Sequence, residues 1–239
     1  LWKEERGSMT PDNEIRAKIS QPRLFEPEDS STGMLEFFPQ LWGIAEMLVN
    51  SDLAGKREAL AQLEQIDAAR FSPLVAYLLT TFLTDKDMEV RTVVVRILGR
   101  VLGPDTQGRP APGNVRQCLY QVLSQMRTRR IYSLLQVSLE AKELESEVAR
   151  LLNTCSYAGT HLADIVSSRK NPVDIRREAV KYIGRVGFLD ALPALERLSA
   201  RLEARQSGQQ TLPFAPPGDE DEATLIPELR AVLNVLRSP

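Results

Sequence analysis

The chain has 239 residues, 43% of them hydrophobic and 26% charged, with a formal net charge of −2 and a pI of about 5.7. This is the make-up of an ordinary globular chain, long enough for one large domain or two small ones, and it lacks the strong basic excess of a dedicated nucleic-acid binder. One histidine and two well-separated cysteines, Cys118 and Cys155, are too few for a zinc site of about four ligands, no apolar run approaches the ~18 residues of a membrane-spanning helix, and no signal peptide is visible.

Residues 1–33 read as an N-terminal arm. Gly7–Met9 has the form of a cloning scar ahead of a native start at Met9, so residues 1–8 carry no functional weight. Thr10–Gly33 is polar, with Pro11, Pro22, Pro27 and an acidic EPED stretch, and predicts an extended or disordered segment. From Met34 to the end of the chain the apolar period is helical, which predicts a single all-α domain over residues 34–239. LEFFPQLWGIAEMLV places Phe38, Leu41, Trp42, Ala45 and Leu48 on one stripe, and KREALAQLEQI does the same with Ala59, Leu60, Leu63 and Ile66. SPLVAYLLTTFL opens with Ser72 as N-cap and Pro73 at the first helical position. Two Gly- and Pro-rich stretches, Gly103–Asn114 and Gln206–Glu222, predict surface loops. In the second, Leu212 and Phe214 of QTLPF are expected to pin a polar loop to the end of the domain; the match of QTLPF to sliding-clamp peptides is poor. ATLIPELRAVLNVLRS, with Leu225, Leu229, Val232, Leu233 and Leu236 as its apolar face, predicts a closing helix.

The chain repeats itself. MEVRTVVVRILGRVLG from Met88 aligns with VDIRREAVKYIGRVGF from Val173: Arg91 with Arg176, Ile97 with Tyr182, Leu98 with Ile183, Gly99 with Gly184 and Val101 with Val186. GKREALAQLEQI adds Arg57 opposite Arg91 and Leu63 opposite Ile97. KELESEVARLLNTC is a degenerate copy with Leu144, Val148, Leu151, Leu152 and Cys155 in the apolar positions. The pattern resembles the HEAT-repeat family of α-solenoids, in which a first helix and an Asp-containing turn precede a second helix that opens with Val-Arg and ends in Leu-Gly. TFLTDKDMEVRTVVVRILGRV and SSRKNPVDIRREAVKYIGRVG fit it well. The resemblance covers about Met34–Pro239 and implies a right-handed α-α superhelix of about five helix pairs. It departs at GNVRQCLYQVLSQMRTRRIYSLLQVSLEA, which is long enough for two helices where the pattern has one. In the family, turn aspartates and helix arginines pair along the stack, and Asp87 with Arg91 and Asp174 with Arg176 are the nearest matching residues here.

No catalytic set, cofactor site or metal site emerges. The single histidine, His161, has Asp164 one turn on but no third partner at a recognisable spacing, and GRVLGPDTQG lacks the Lys-Ser/Thr of a phosphate-binding loop. A different signal comes from cations. Arg96 and Arg100 lie off the apolar stripe of their helix; Lys181 and Arg185 occupy the aligned positions, Arg177 lies a turn earlier, and Arg150 falls opposite Lys181. In HEAT proteins the second helix of each pair lines the concave side, so these six residues would form a basic strip there. A solvated face with cations placed late in the helix is the plainer alternative. The expectation is a non-enzymatic, cytoplasmic scaffold that holds an acidic protein segment, with no small-molecule substrate and no membrane contact. Two alternatives follow from relatives of the repeat: a HEAT-like DNA-binding protein or alkylpurine DNA glycosylase, the latter needing aromatic residues in the cleft where this chain has tryptophan only at Trp2 and Trp42, and phycobilin lyase-like HEAT subunits, supported by the repeat alone.

Overall fold

The computed structural model describes residues 39–207 and 224–238. The arm, residues 34–38 with Phe38, and Leu212 and Phe214 of the second loop lie outside the described residues. Twelve α-helices and no strand are found among the described residues: α1 (Pro39–Asn50), α2 (Leu53–Gln65), α3 (Ala68–Phe71), α4 (Pro73–Thr81), α5 (Met88–Leu102), α6 (Gly113–Leu123), α7 (Thr128–Glu140), α8 (Glu145–Asn153), α9 (Ala158–Ser167), α10 (Val173–Val186), α11 (Leu192–Gln206) and α12 (Leu225–Arg237). No described helix is long and apolar enough to cross a membrane.

Local chemistry sets the helix ends. The Ser72 hydroxyl accepts from the Val75 N–H (3.2 Å) with Pro73 at the first helical position. Asp52 and Asp87 cap α2 and α5 through Gly55 N–H and Val90 N–H, each at 3.0 Å, satisfying donors that the first turn leaves open. Gly187 closes α10 at φ +84°, where a Cβ would be strained. The long stretch from Asn114 onward forms two helices, α6 and α7, with the loop between α5 and α6 ending at Pro112, one residue before Gly113 opens α6. That loop is held from both sides. Asp105 accepts from the N–H groups of Gln107 and Arg109, both at 2.8 Å, and the buried Arg70 of α3 donates to the Arg109 carbonyl at 2.6 Å.

The helices form an ordered run of contacts. α2, α5, α8, α10 and α12 each touch the next. On their other side α4 packs on α5 and α6, α7 on α5, α8, α9 and α10, and α9 on α10 and α11, while α11 packs on α12. One apolar core runs through all of them, from Leu41 to Leu236. The apolar positions of the degenerate copy (Leu144, Val148, Leu151, Leu152 and Cys155) are all buried, as are Leu225, Leu229 and Leu233 of the last helix. Ala45 and Val232 are half-buried, and two expected stripe members are exposed. Trp42 is 56% exposed and Ile66 48% exposed. Leu41 and Leu48 are the buried residues of α1, Trp42 lines the groove between α1 and α4, and Ile66 is the C-cap of α2.

Gly99 and Gly184, aligned in sequence, stand at equivalent crossings. A Cβ on Gly99 would meet the Glu147 Cα of α8 at 2.8 Å, and one on Gly184 would meet Val232 of α12 at 2.8 Å. In both places the next helix of the run passes closer than a side chain permits.

Candidate partner-binding face

The six cations of the expected strip lie on α5, α8 and α10, three consecutive members of the run. Five of them are engaged by carboxylates. Arg100 reaches back to Glu64 on α2 at 2.7 Å. Arg150 lies 3.6 Å from Glu147 and donates to the Gly99 carbonyl of α5 at 3.3 Å. Lys181 pairs with Glu145 across the α8–α10 boundary and with Glu178 at 3.2 Å, and Arg185 shares Glu145 at 2.6 Å. Arg177 lies 2.7 Å from Glu228 on α12 and 3.2 Å from Asp174. Arg96 is the strip cation with no ion-pair partner among the described residues. Arg100, Arg177, Lys181 and Arg185 thus brace one helix to its neighbour through carboxylates, and Arg150 does so through the Gly99 carbonyl. The same pattern begins earlier, where Lys56 meets Asp85 at 2.7 Å and Arg57 meets Glu89 at 2.5 Å.

The residues of the expected Asp–Arg ladder meet other groups. Arg91 donates to Gln136 Oε1 (2.7 Å) and Ser133 Oγ (3.1 Å) on α7. Asp87 caps its own helix and has Arg57 of the preceding pair at 3.8 Å. Arg176 is buried and its Nε–H donates to the Val166 carbonyl of α9 at 2.8 Å. Asp174 receives Arg177.

Beneath the braces lies a buried polar cluster. Tyr182, fully buried, has its hydroxyl 2.6 Å from Ser138 Oγ on α7, and Ser138 also donates to Glu178 at 2.7 Å. Burial pushes the Tyr182 phenol well up from its ordinary pKa. For Lys181, burial opposes the charge, but hydrogen bonding to Glu145 and the nearby Glu178 outweigh it and raise the ammonium pKa. For Glu145, the hydrogen bond from Lys181 overcomes partial burial, and with Arg185 it holds the carboxyl below the usual glutamate range.

The sign of the pH dependence follows. A carboxylate whose pKa is lowered on folding adds stability above its unfolded pKa of about 4.3 and loses it as pH falls through the lower folded value. Glu145→Gln is expected to lower the urea midpoint at neutral pH, and the gap to the parent protein is expected to close as pH falls below about 4. A gap independent of pH would show that Glu145 contributes no charge-dependent stability.

His161 Nδ1 sits 3.0 Å from Thr128 Oγ1, and of the two cysteines Cys155 is buried and Cys118 half-buried. No group of three or more potential metal ligands occurs among the described residues. An apolar groove lies elsewhere, between α1 and α4. The sequence holds a signal for it: PLVAYLLTT, the whole of α4, carries no charge, and a helix apolar on every side asks to be covered on every side. Glu147, Asp174 and Glu178 stand three residues before the cations they meet, whereas Glu64, Glu145 and Glu228 were harder to see, because they come from other helices. No protein-family model and no curated protein matches the sequence.

Proposed function

We propose that this chain is a HEAT-like helical-repeat scaffold, without enzymatic activity, that holds a protein partner in the cytoplasm. The observation that carries the reading is the run α2–α5–α8–α10–α12, whose members touch in order and repeat the same devices: a glycine at the crossing in α5 and α10 and cross-helix ion pairs at the α2–α5, α8–α10 and α10–α12 steps. Five helix pairs stacked as a right-handed superhelix fit this order of contacts, with α1/α2, α4/α5, α7/α8, α9/α10 and α11/α12 as the pairs and α3 and α6 as additions. Stacked units of this kind bury a continuous core and leave long side-chain faces for recognition.

The partner is an acidic protein segment that meets the braced face, with Arg96 as the cation available without breaking an internal pair. Paired cations attract an external polyanion weakly, because each carries its own counter-charge within a few ångströms. This weighs against duplex DNA, whose binding needs many free phosphate contacts, and so against the glycosylase reading. The phycobilin lyase reading gains nothing beyond the repeat.

The test is fluorescence anisotropy with two probes, a labelled oligoglutamate peptide and a short DNA duplex, each at low and at physiological salt. The peptide is expected to bind weakly and salt-sensitively, with Arg96→Glu reducing its affinity about tenfold; the duplex is expected to stay free. Charge reversal of Lys181 or Arg185 is a poor control, because it would set like charges against Glu145. Tight duplex binding with a steep salt slope would replace the scaffold reading by a nucleic-acid one. No binding of the peptide at low salt would remove the acidic partner.

A further inference from the structure

The cations of the braced face are mostly paired, and a group of free ones gathers elsewhere. Residues 106–139 hold five arginines and no acid, in a chain with 32 acids. Arg109 pairs with Asp105, and the Arg116 Nε–H donates to the Ala111 carbonyl at 2.9 Å. The other three, Arg127, Arg129 and Arg130, fall within four residues at the corner between α6 and α7. Arg127 and Arg129 are exposed and Arg130 is half-buried, and none of the three has an ion pair or a side-chain hydrogen bond among the described residues. The corner is fixed against the α8–α9 turn. Thr128 Oγ1 lies 3.0 Å from His161 Nδ1, the Ser156 N–H donates to the Ser124 carbonyl at 3.3 Å, and the Cys155 thiol donates to the Met126 carbonyl at 3.5 Å. Tyr157, 59% exposed, stands on that turn. The acids on this side are Asp164, a turn past His161, and Asp190, whose carboxylate is taken by the N–H and hydroxyl of Thr160.

We propose that this corner binds a phosphoryl group carried on a serine or threonine of a protein partner, at a site separate from the braced face. Three like charges within about one helical turn of 5.4 Å repel one another, and an anion from outside relieves that repulsion. Compactness selects the anion. Side chains on one face of an extended peptide recur at about 7 Å, every second residue, so a single turn meets one of them. That one group faces three guanidinium ions. A phosphoryl group brings about −1.5 to −2 of charge and three strong acceptor oxygens, where a carboxylate brings a single charge and two oxygens. Arginine at all three positions supplies forked donors that fit such oxygens pairwise, which lysine would not. Nucleic acid is a poorer match, because a duplex site uses roughly 6–10 phosphate contacts and the corner offers three cations. Tyr157 gives the residues flanking the phosphoryl group an apolar surface to rest on.

The experiment is fluorescence anisotropy of the full chain at physiological salt. The probes are a short labelled peptide with one phosphothreonine between leucines, the same peptide unphosphorylated, and the same peptide with glutamate in place of the phosphothreonine. The phosphopeptide is expected to bind about tenfold more tightly than the glutamate form, and the unphosphorylated form to stay free. Arg127→Gln/Arg129→Gln/Arg130→Gln is expected to weaken phosphopeptide binding by about tenfold or more. Lysine at the same three positions is expected to recover part of the loss, since it keeps the charge and lacks the fork. Arg96→Glu is expected to leave phosphopeptide binding unchanged, which separates the corner from the braced face. Far-UV circular dichroism and the melting temperature show that each variant is folded. Equal affinity for the phosphorylated and unphosphorylated peptides, or unchanged affinity in the triple glutamine variant, would overturn the proposal. Displacement of the phosphopeptide by equimolar inorganic phosphate would overturn it in favour of a free-anion site. A single-stranded oligonucleotide that outcompetes the phosphopeptide, and is itself lost in the triple glutamine variant, would overturn it in favour of nucleic acid.

Discussion

Tyr182→Ala is expected to lower the free energy of unfolding by about 3–5 kcal/mol, the cost of emptying a buried aromatic site. Tyr182 is fully buried in the middle of the helix run, with its ring in the core and its hydroxyl 2.6 Å from Ser138 and 3.4 Å from the Glu145 carbonyl. It thus joins α10 to α7 and α8 at once. Its removal opens a void and leaves the Ser138–Glu178 bond (2.7 Å) without one wall. For a chain of this length each kcal/mol lowers the melting temperature by about 2–4 °C, so a drop of roughly 6–20 °C is expected. Tyr182→Phe separates the two contributions. It keeps the ring and costs only the hydrogen bond, about 1 kcal/mol. Urea unfolding of the three proteins checks both. A Tyr182→Ala loss no larger than that of Tyr182→Phe would mean that the ring is not a packing element.

The second large effect is a pair of substitutions with opposite signs. Glycine inside a helix costs about 0.5–1 kcal/mol relative to alanine, so Gly→Ala stabilises wherever there is room. Gly43 on α1 has nothing within 4 Å of the added Cβ, and Gly43→Ala is expected to stabilise by that amount. Gly99 has the same helical backbone but faces α8, with the Glu147 Cα at 2.8 Å from the new Cβ. A backbone atom cannot swing aside as a flexible side chain does, so α8 must move and disturb Val148, Leu151 and Leu152 behind it. Overpacking of this kind costs about 1–3 kcal/mol, which exceeds the helix gain. Gly99→Ala is therefore expected to destabilise, and Gly99→Val more strongly. If Gly99→Ala raised the melting temperature as Gly43→Ala does, the close approach of α5 and α8 would be wrong.

The repeat alignment carries this second prediction further than local propensity would. Gly99 and Gly184 align in sequence, and both lie where the next helix passes. Helix periods, the Ser72 cap and the apolar positions of the degenerate copy were equally readable, because each depends on residues within one or two turns. So was the presence of more than one helix after Asn114, where the stretch exceeds the length of a single unit.

The chain alone, then, determines that it is helical, where its core faces lie and which residues recur from unit to unit, since backbone hydrogen bonding and amphipathic spacing are local. Tertiary structure decides what the charges do. Glu64 and Arg100, Glu145 and Lys181, and Arg177 and Glu228 are each brought together from separate helices, and a Coulomb interaction that falls with distance and is screened by solvent depends on that meeting and on nothing nearer in the chain. A row of cations that reads as a strip in the alignment becomes a row of braces in the fold. The same holds for Trp42, apolar by type and placed by period on the core stripe, yet exposed while Leu41 and Leu48 of the same helix are buried. Periodicity assigns a residue to a sector of its helix, and only the neighbour that arrives decides how wide the buried sector is.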